Sequence, residues 1–194
     1  TISCTIIYWL QGMSVFDSIA HALTTLATGG FSTKNASIGY FESPLIQYTV
    51  ILFMIISATN FTLTYFALKF DFKRVFRNEE FRIYISFIFL LSFLVFLPLI
   101  INDSSYPGET FRDALFNITS IITTTGFTTA DFTGWTEFIT ILFFILMFFG
   151  ACAGSTSGGI KIVRHVVLLK NSYIELKKQL HQSGVFTLRF NNRR

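Results

Sequence analysis

Charged residues and cysteines are both scarce in this chain of 194 residues. Charged residues make up 13% of the sequence, about half of the roughly 25% found in ordinary soluble domains, which argues against a soluble globular protein. The two cysteines, Cys4 and Cys152, lie 148 positions apart and offer no pattern for a disulfide framework or a cysteine-based metal site. What is abundant is apolar: 52% of the residues are hydrophobic and 25 are phenylalanine.

Three windows contain no charged residue, namely 43–68, 83–102 and 138–160. Each reaches the roughly 20 residues that cross a bilayer as a helix, so we expect several membrane spans. We do not expect residues 1–10 to be a secretory signal peptide, because such windows lie deep in the chain and these ten residues lack a charged region and a cleavage site. The apolar run at residues 1–10 is typical instead of a helix that lacks its beginning.

The charges are strongly segregated along the chain. Residues 69–82 and 161–194 hold thirteen of the fifteen Lys and Arg residues, whereas residues 12–44 and 102–137 hold two, beside seven carboxylates. The positive-inside rule therefore predicts that residues 71–82 and 171–194 face the cytoplasm and that 32–43 and 102–109 face outward. Basic residues that flank spans favour a membrane protein over a nucleic-acid-binding one.

Two segments between the spans, 14–27 and 110–123, are too short to cross the membrane. About 14 residues make a helix of roughly 20 Å, against a hydrocarbon core of about 30 Å, so we predict re-entrant pore helices. A shift of 96 positions places residues 14–33 on residues 110–129, as expected for an internal repeat. Ser14 and Thr110 each open an [ST]-x-x-D box, which predicts helix N-caps.

The same Thr-x-Gly-Phe sequence occurs at residues 28–31 and 124–127, and its glycine lies sixteen residues after each predicted cap. A helix that ends inside the membrane leaves carbonyl groups without partners and carries a partial negative charge at its C-terminus. Glycine permits backbone angles that aim successive carbonyl oxygens in one direction. One such glycine would be read as an ordinary helix C-cap, but two at the same spacing predict a cation-selective filter.

The third charge-free window is interrupted by a stretch rich in glycine and hydroxyl residues, 150–159. Glycine destabilises a helix by about 1 kcal/mol per residue, so we predict a broken helix over 136–170 with an irregular loop formed by Gly154, Ser155, Thr156, Ser157, Gly158 and Gly159. The alternative is a small-residue face for close helix packing. Lys161 and Arg164 either mark the cytoplasmic boundary or face an ion path.

No pattern of catalytic residues is present. The segment from Gly154 to Lys161 departs from a phosphate-binding loop, because Ile160 stands where lysine should follow glycine. The three histidines, at positions 21, 165 and 181, are scattered, and we expect His21 to be a packed polar residue. The chain is therefore predicted not to be an enzyme and to need no cofactor.

These motifs resemble the Trk/Ktr/HKT superfamily of cation transporters over essentially the whole chain. The resemblance rests on residues 25–33 with 36–41, on residues 123–129, and on the run Cys152 to Arg164. It implies that filter backbone is contributed by Ala27, Thr28, Gly29, Gly30, Thr123, Thr124, Thr125 and Gly126, and that residues 154–159 form an intramembrane loop that obstructs the pore as a gate. Potassium is the cation it implies.

The fold implied is an all-α integral membrane protein built from helix, pore helix, filter and helix repeats, as in a K+ channel pore. Two of an expected four units are present: residues 1–80, with pore helix 14–27, filter 27–31 and helix 43–70, and residues 81–170, with helix 82–102, pore helix 110–123, filter 123–127 and broken helix 136–170. Residues 171–194 are predicted to be a cytoplasmic linker. Two filter strips cannot enclose an ion, so we expect the chain to be a piece of a longer transporter.

The resemblance also implies partners and a location. The partners are the missing units one and four, a second copy in a homodimer, and a cytoplasmic ring of TrkA-like nucleotide-binding regulatory subunits. The location is a bacterial inner membrane that the chain crosses several times. The competing hypothesis is a structural or interaction membrane protein whose glycines pack helices, and a membrane-embedded enzyme is a third.

Overall fold

A computed structural model describes residues 1–102, 106–180 and 186. Helices make up most of this part of the chain, as predicted. They are α1 (Ile2–Leu10), α2 (Val15–Leu26), α3 (Pro44–Ser57), α4 (Phe61–Leu68), α5 (Phe72–Arg77), α6 (Glu79–Asn102), α7 (Pro107–Ile122), α8 (Glu137–Leu146) and α9 (Ile162–Leu180). Short 3₁₀ turns cover Ser37–Tyr40 and Phe132–Gly134. Parts of the predicted outward segment 102–109 and of the predicted linker 171–194, with His181, lie outside the described residues.

One helix of the described residues, α6, is long and apolar enough to cross a membrane by itself, over Glu79–Ile101. The pair α3 and α4 meets the same test together, but the two helices meet at an angle of 113°. The prediction of one continuous helix over 43–70 is therefore wrong. Asn60 caps the second helix, because its side chain accepts a hydrogen bond from the backbone of Thr62 at 2.8 Å.

The helix predicted over 136–170 is broken earlier and for longer than expected. Helix α8 ends at Leu146, and two-residue strands β1 (Phe149–Gly150) and β2 (Ile160–Lys161) pair in parallel before α9 begins. Close backbone approach explains the pairing: a Cβ on Gly150 would lie 2.0 Å from the carbonyl oxygen of Gly158. The two ends of the loop are thus held together by the paired strands, and the glycines of the loop do not lie on a helix face.

The core lies around α7, which has nine buried residues and packs against α3, α6 and α8. Two aromatic rings at 0% exposure, Tyr84 on α6 and Phe116 on α7, contribute the largest volumes there. Helix α2 packs against α1 and α3 but keeps an exposed apolar face that includes Phe16 and Leu23. The two predicted pore helices, α2 and α7, therefore have different surroundings.

Candidate functional site

The short helices α2 and α7 begin differently. In α2 the Ser14 hydroxyl accepts the Asp17 N–H at 3.1 Å, which confirms the predicted cap. In α7 the prediction that Thr110 is the cap is wrong: the helix begins one turn earlier at Pro107, and the Thr110 hydroxyl donates to the Tyr106 carbonyl oxygen. Proline explains the earlier start, because its fixed φ suits the first helical position and its missing N–H needs no partner there.

The aspartates of both boxes hold the chain that returns after each helix. The Thr33 hydroxyl donates to Asp17 Oδ1 at 2.5 Å, and the Thr129 hydroxyl donates to Asp113 Oδ1 at 2.9 Å. The two bonds join residues that correspond at the 96-residue shift. Each therefore ties the start of a short helix to the segment that follows its C-terminal turn.

His21 and Asn117 are a second pair of corresponding residues with one role. His21 Nδ1 donates to the Asp17 carbonyl oxygen at 2.7 Å, and Asn117 Nδ2 donates to the Asp113 carbonyl oxygen at 3.0 Å. The other ring nitrogen of His21 lies 2.8 Å from Ser32 Oγ, and the residue is fully buried. These contacts confirm that His21 is a packed polar residue.

The C-terminal turns of the two helices have the same backbone conformation. Ala27 and Thr123 are αR caps with φ of −78° and −76°. Thr28 and Thr124 follow with φ of +51° and +57°, which is uncommon for a β-branched residue and marks a constrained turn. Gly29 N–H bonds the Thr24 carbonyl at 2.8 Å, and Thr125 N–H bonds the Ser120 carbonyl at 2.9 Å.

The glycine of each turn also has a left-handed backbone, with φ of +66° at Gly30 and +87° at Gly126. The carbonyl oxygen after each glycine is held by a hydroxyl from the last turns of its helix. Thr24 Oγ1 donates to the Phe31 carbonyl at 2.9 Å, and Ser120 Oγ donates to the Phe127 carbonyl at 2.6 Å. Two distant segments therefore build one turn with matching hydrogen bonds.

The two turns lie against each other. A Cβ on Gly30 would be 1.9 Å from the Thr125 carbonyl oxygen, so the backbones are in direct contact there. Just beyond the turns, Gly39 N–H donates to the Thr128 carbonyl at 3.0 Å and Thr128 N–H donates to Ser37 Oγ at 3.3 Å. The structure thus brings together the two strips that the sequence singled out.

Residues 152–154 lead into the loop, and we call them its descending limb. They form hydrogen bonds with residues at the break between α3 and α4. Cys152 N–H donates to the Ala58 carbonyl at 3.2 Å, and Phe61 N–H donates to the Gly154 carbonyl at 3.0 Å. Asn60 Nδ2 donates to the Ala153 carbonyl at 2.6 Å. Asn60 therefore bonds the segment that leads into the loop.

The tip of the loop, residues 155–159, contacts the second turn. Gly158 N–H donates to the Thr124 hydroxyl oxygen at 2.6 Å, whereas the corresponding Thr28 hydroxyl donates to its own neighbour, the Ala27 carbonyl. The Thr156 hydroxyl donates to the Ser57 carbonyl at 3.1 Å. The tip is therefore attached to the rest of the chain through side-chain hydroxyl groups.

Of the two basic residues after the loop, Lys161 contacts it and Arg164 is exposed. Lys161 Nζ donates to the Ser157 carbonyl and to Ser157 Oγ. Sequence reasoning missed Glu80, whose carboxylate accepts the Ala153 N–H at 2.6 Å. Its position directly before an apolar span was the available signal. Within residues 1–102 and 106–180, no group of three His, Cys, Asp or Glu side chains could hold a metal ion.

The described residues combine an apolar helix long enough to span a membrane, a broken apolar pair and a loop rich in hydroxyl residues, as expected for a helical membrane protein. The profile of the family described as "TrkH: Cation transport protein" matches residues 1–103 and 103–194, so the chain belongs to the TrkH family. A family of transport proteins agrees with the prediction that the chain is not an enzyme.

Named relatives are similar over nearly the whole chain. The Trk system potassium uptake protein TrkH of Vibrio parahaemolyticus is 43% identical over 97% of this chain, and that of Escherichia coli K12 is 39% identical over 100% of it. The crystal structure of the potassium transporter TrkH from Vibrio parahaemolyticus matches with a TM-score of 0.91 and 41% identity over 97% of this chain. The chain spans about two fifths of each: 40% of both curated relatives and 41% of the crystallised chain.

Proposed function

We propose that this chain forms part of a pathway for potassium uptake across a bacterial inner membrane, with a carbonyl-lined filter and an intramembrane loop that gates it. The filter strips are Ala27 to Gly30 and Thr123 to Gly126, and the gate is Gly154 to Gly159. The observation that carries the proposal is the pair of matching left-handed turns, which contact each other at Gly30 and contact the loop at Thr124. The names of the relatives supply the cation.

The physical argument starts from the ends of α2 and α7. Backbone of irregular conformation at membrane depth is tolerated where it is buried in protein or lines water, and helix C-termini carry a partial negative charge that favours a cation. The hydroxyl groups of Thr24 and Ser120 fix the same carbonyl after each glycine, which holds both strips rigid. Rigid strips of carbonyl groups can replace the hydration shell of an ion.

The arrangement in the membrane follows from the same proposal. Helices α2 and α7 are re-entrant pore helices, α6 crosses the bilayer, and the breaks at 58–60 and 147–161 lie inside it. Two further helix, pore helix, filter and helix units complete the ring of strips. A homodimer and a cytoplasmic ring of TrkA-like nucleotide-binding regulatory subunits, implied by the family resemblance, complete the assembly.

The filter is tested by Gly126→Ser in the full-length transporter. A Cβ at Gly126 meets no heavy atom within 4 Å, but φ is +87°, so the side chain strains the turn by about 1–2 kcal/mol without a clash. We expect insertion to be retained and K+ uptake or its selectivity over Na+ to fall. Growth of a K+-uptake-deficient strain at limiting K+, with and without added Na+, measures both.

Gly134→Ser is the matched control, because Gly134 also has open space around its Cβ position but no positive φ. It should grow as wild type does. Gly30→Ser is a less specific test, since its Cβ would meet the Thr125 carbonyl and displace both strips. Normal growth and Na+ exclusion by Gly126→Ser would show that this turn is not part of a filter.

A further inference from the structure

Glu80 is a buried carboxylate at the first turn of α6, with 5% of its surface exposed. An ionised carboxylate only accepts hydrogen bonds, and its burial is unfavourable unless donors or opposite charges compensate. What Glu80 contacts therefore indicates what it does.

Its hydrogen-bond donor is the loop. Ala153 N–H donates to Glu80 Oε1 at 2.6 Å, across 73 positions of sequence. A bond from a backbone N–H to a charged acceptor is about twice as strong as a bond between neutral groups. The other contacts of the descending limb, with Ala58, Asn60 and Phe61, are all between neutral groups.

The tip of the loop has a contact of its own. Lys161 Nζ donates to the carbonyl and the hydroxyl of Ser157, in the tip. Glu80 therefore holds the descending limb through Ala153, and Lys161 holds the tip.

We propose that Glu80 is a positioning residue for the intramembrane loop and that its bond to Ala153 holds the loop against the second turn. The negative charge keeps Ala153 in place, and Lys161 keeps Ser157 in place. Loss of the charge releases the tip from Thr124. The consequence for ion flux rests on the proposed gate, whereas the consequence for the position of the loop does not.

The test uses Glu80→Gln in the full-length transporter, because glutamine keeps the size and the acceptor oxygen but removes the charge. The loop position is read from the rate at which a cytoplasmic thiol reagent modifies Ser155→Cys, with other accessible cysteines removed; Cys152 is fully buried. We expect a rise of about fivefold, which corresponds to about 1 kcal/mol, the difference between a charged and a neutral hydrogen bond. K+ leak from reconstituted vesicles should rise in parallel.

Asp71→Asn is the control: it removes a carboxylate that pairs with Arg74 at the surface, and it should leave the modification rate unchanged.

A wild-type modification rate in Glu80→Gln overturns the proposal. Loss of folded protein in Glu80→Gln with no faster modification in the remainder also overturns it, since Glu80 would then serve the fold alone. A faster modification with unchanged leak supports the positioning role and contradicts the gate, which separates the failure of this proposal from that of the proposed function.

Discussion

The hydrogen bond between Gly158 N–H and Thr124 Oγ1, 2.6 Å long, predicts that the threonine hydroxyl latches the loop closed. Thr124→Val removes the acceptor and keeps the β-branched shape, so the strain of φ +57° is common to both side chains. Thr124→Ser keeps the hydroxyl. Comparison of the two variants isolates the hydrogen bond from the volume of the side chain.

The magnitude follows from the surroundings of the bond. An intramolecular hydrogen bond contributes about 0.5–1.5 kcal/mol, and Gly158 is exposed, so water can satisfy its N–H after the bond is lost. Removal of this bond should therefore destabilise the closed loop by about 1 kcal/mol, without the further cost of a buried unpaired donor. The ratio of open to closed loop should rise about fivefold in Thr124→Val.

The assay is K+ leak from vesicles that contain the full-length transporter without its regulatory partner. We expect about fivefold faster leak in Thr124→Val and wild-type leak in Thr124→Ser. Thr28→Val is the matched comparison, because the Thr28 hydroxyl bonds Ala27 within its own turn. Equal leak in the Val and Ser variants of Thr124, or an equal rise in Thr28→Val, would refute the latch.

Two further predictions concern the bonds of His21 and the topology. His21→Asn should keep the thermal stability of the transporter, because Asn117 makes the corresponding bond in α7. His21→Leu leaves the Asp17 carbonyl oxygen and the Ser32 hydroxyl without the imidazole, and should lower the free energy of unfolding by about 1–3 kcal/mol, measured as a lower melting temperature. Equal melting temperatures of the two variants would contradict this role of His21. A cysteine at the exposed residue Ala36 should react with an impermeant thiol reagent in intact cells and one at the exposed residue Lys73 should not; the reverse pattern would invert the proposed topology.

The sequence was informative where one local rule decides the structure. The box opened by Ser14 and the charge-free run before Asn102 predicted helices that the structure contains, α2 and α6. The 96-residue correspondence predicted two like turns, and matching φ values are found at Thr28 and Thr124. The first two signals each lie within about twenty consecutive residues, and the third is a match between two segments of that length.

The breaks were predicted poorly because long-range partners decide them. Residues 58–60 contain no glycine or proline, and a continuous apolar run favours one helix. The helix nevertheless ends there, because Ala58, Asn60 and Phe61 bond residues 152–154. Glu80 escaped notice for the same reason, since its partner is 73 positions away.

The two breaks supply each other's missing hydrogen bonds, and this makes them dependent on one another during biosynthesis. The Ala58 carbonyl and the Phe61 N–H are satisfied by Cys152 and Gly154, which are synthesised some ninety residues later. Unpaired backbone groups in lipid cost several kcal/mol each. If both breaks lie inside the bilayer, as proposed above, the bend between α3 and α4 cannot form in lipid until residues 152–154 are inserted beside it. The shape of the first half of this chain then depends on the insertion of the second.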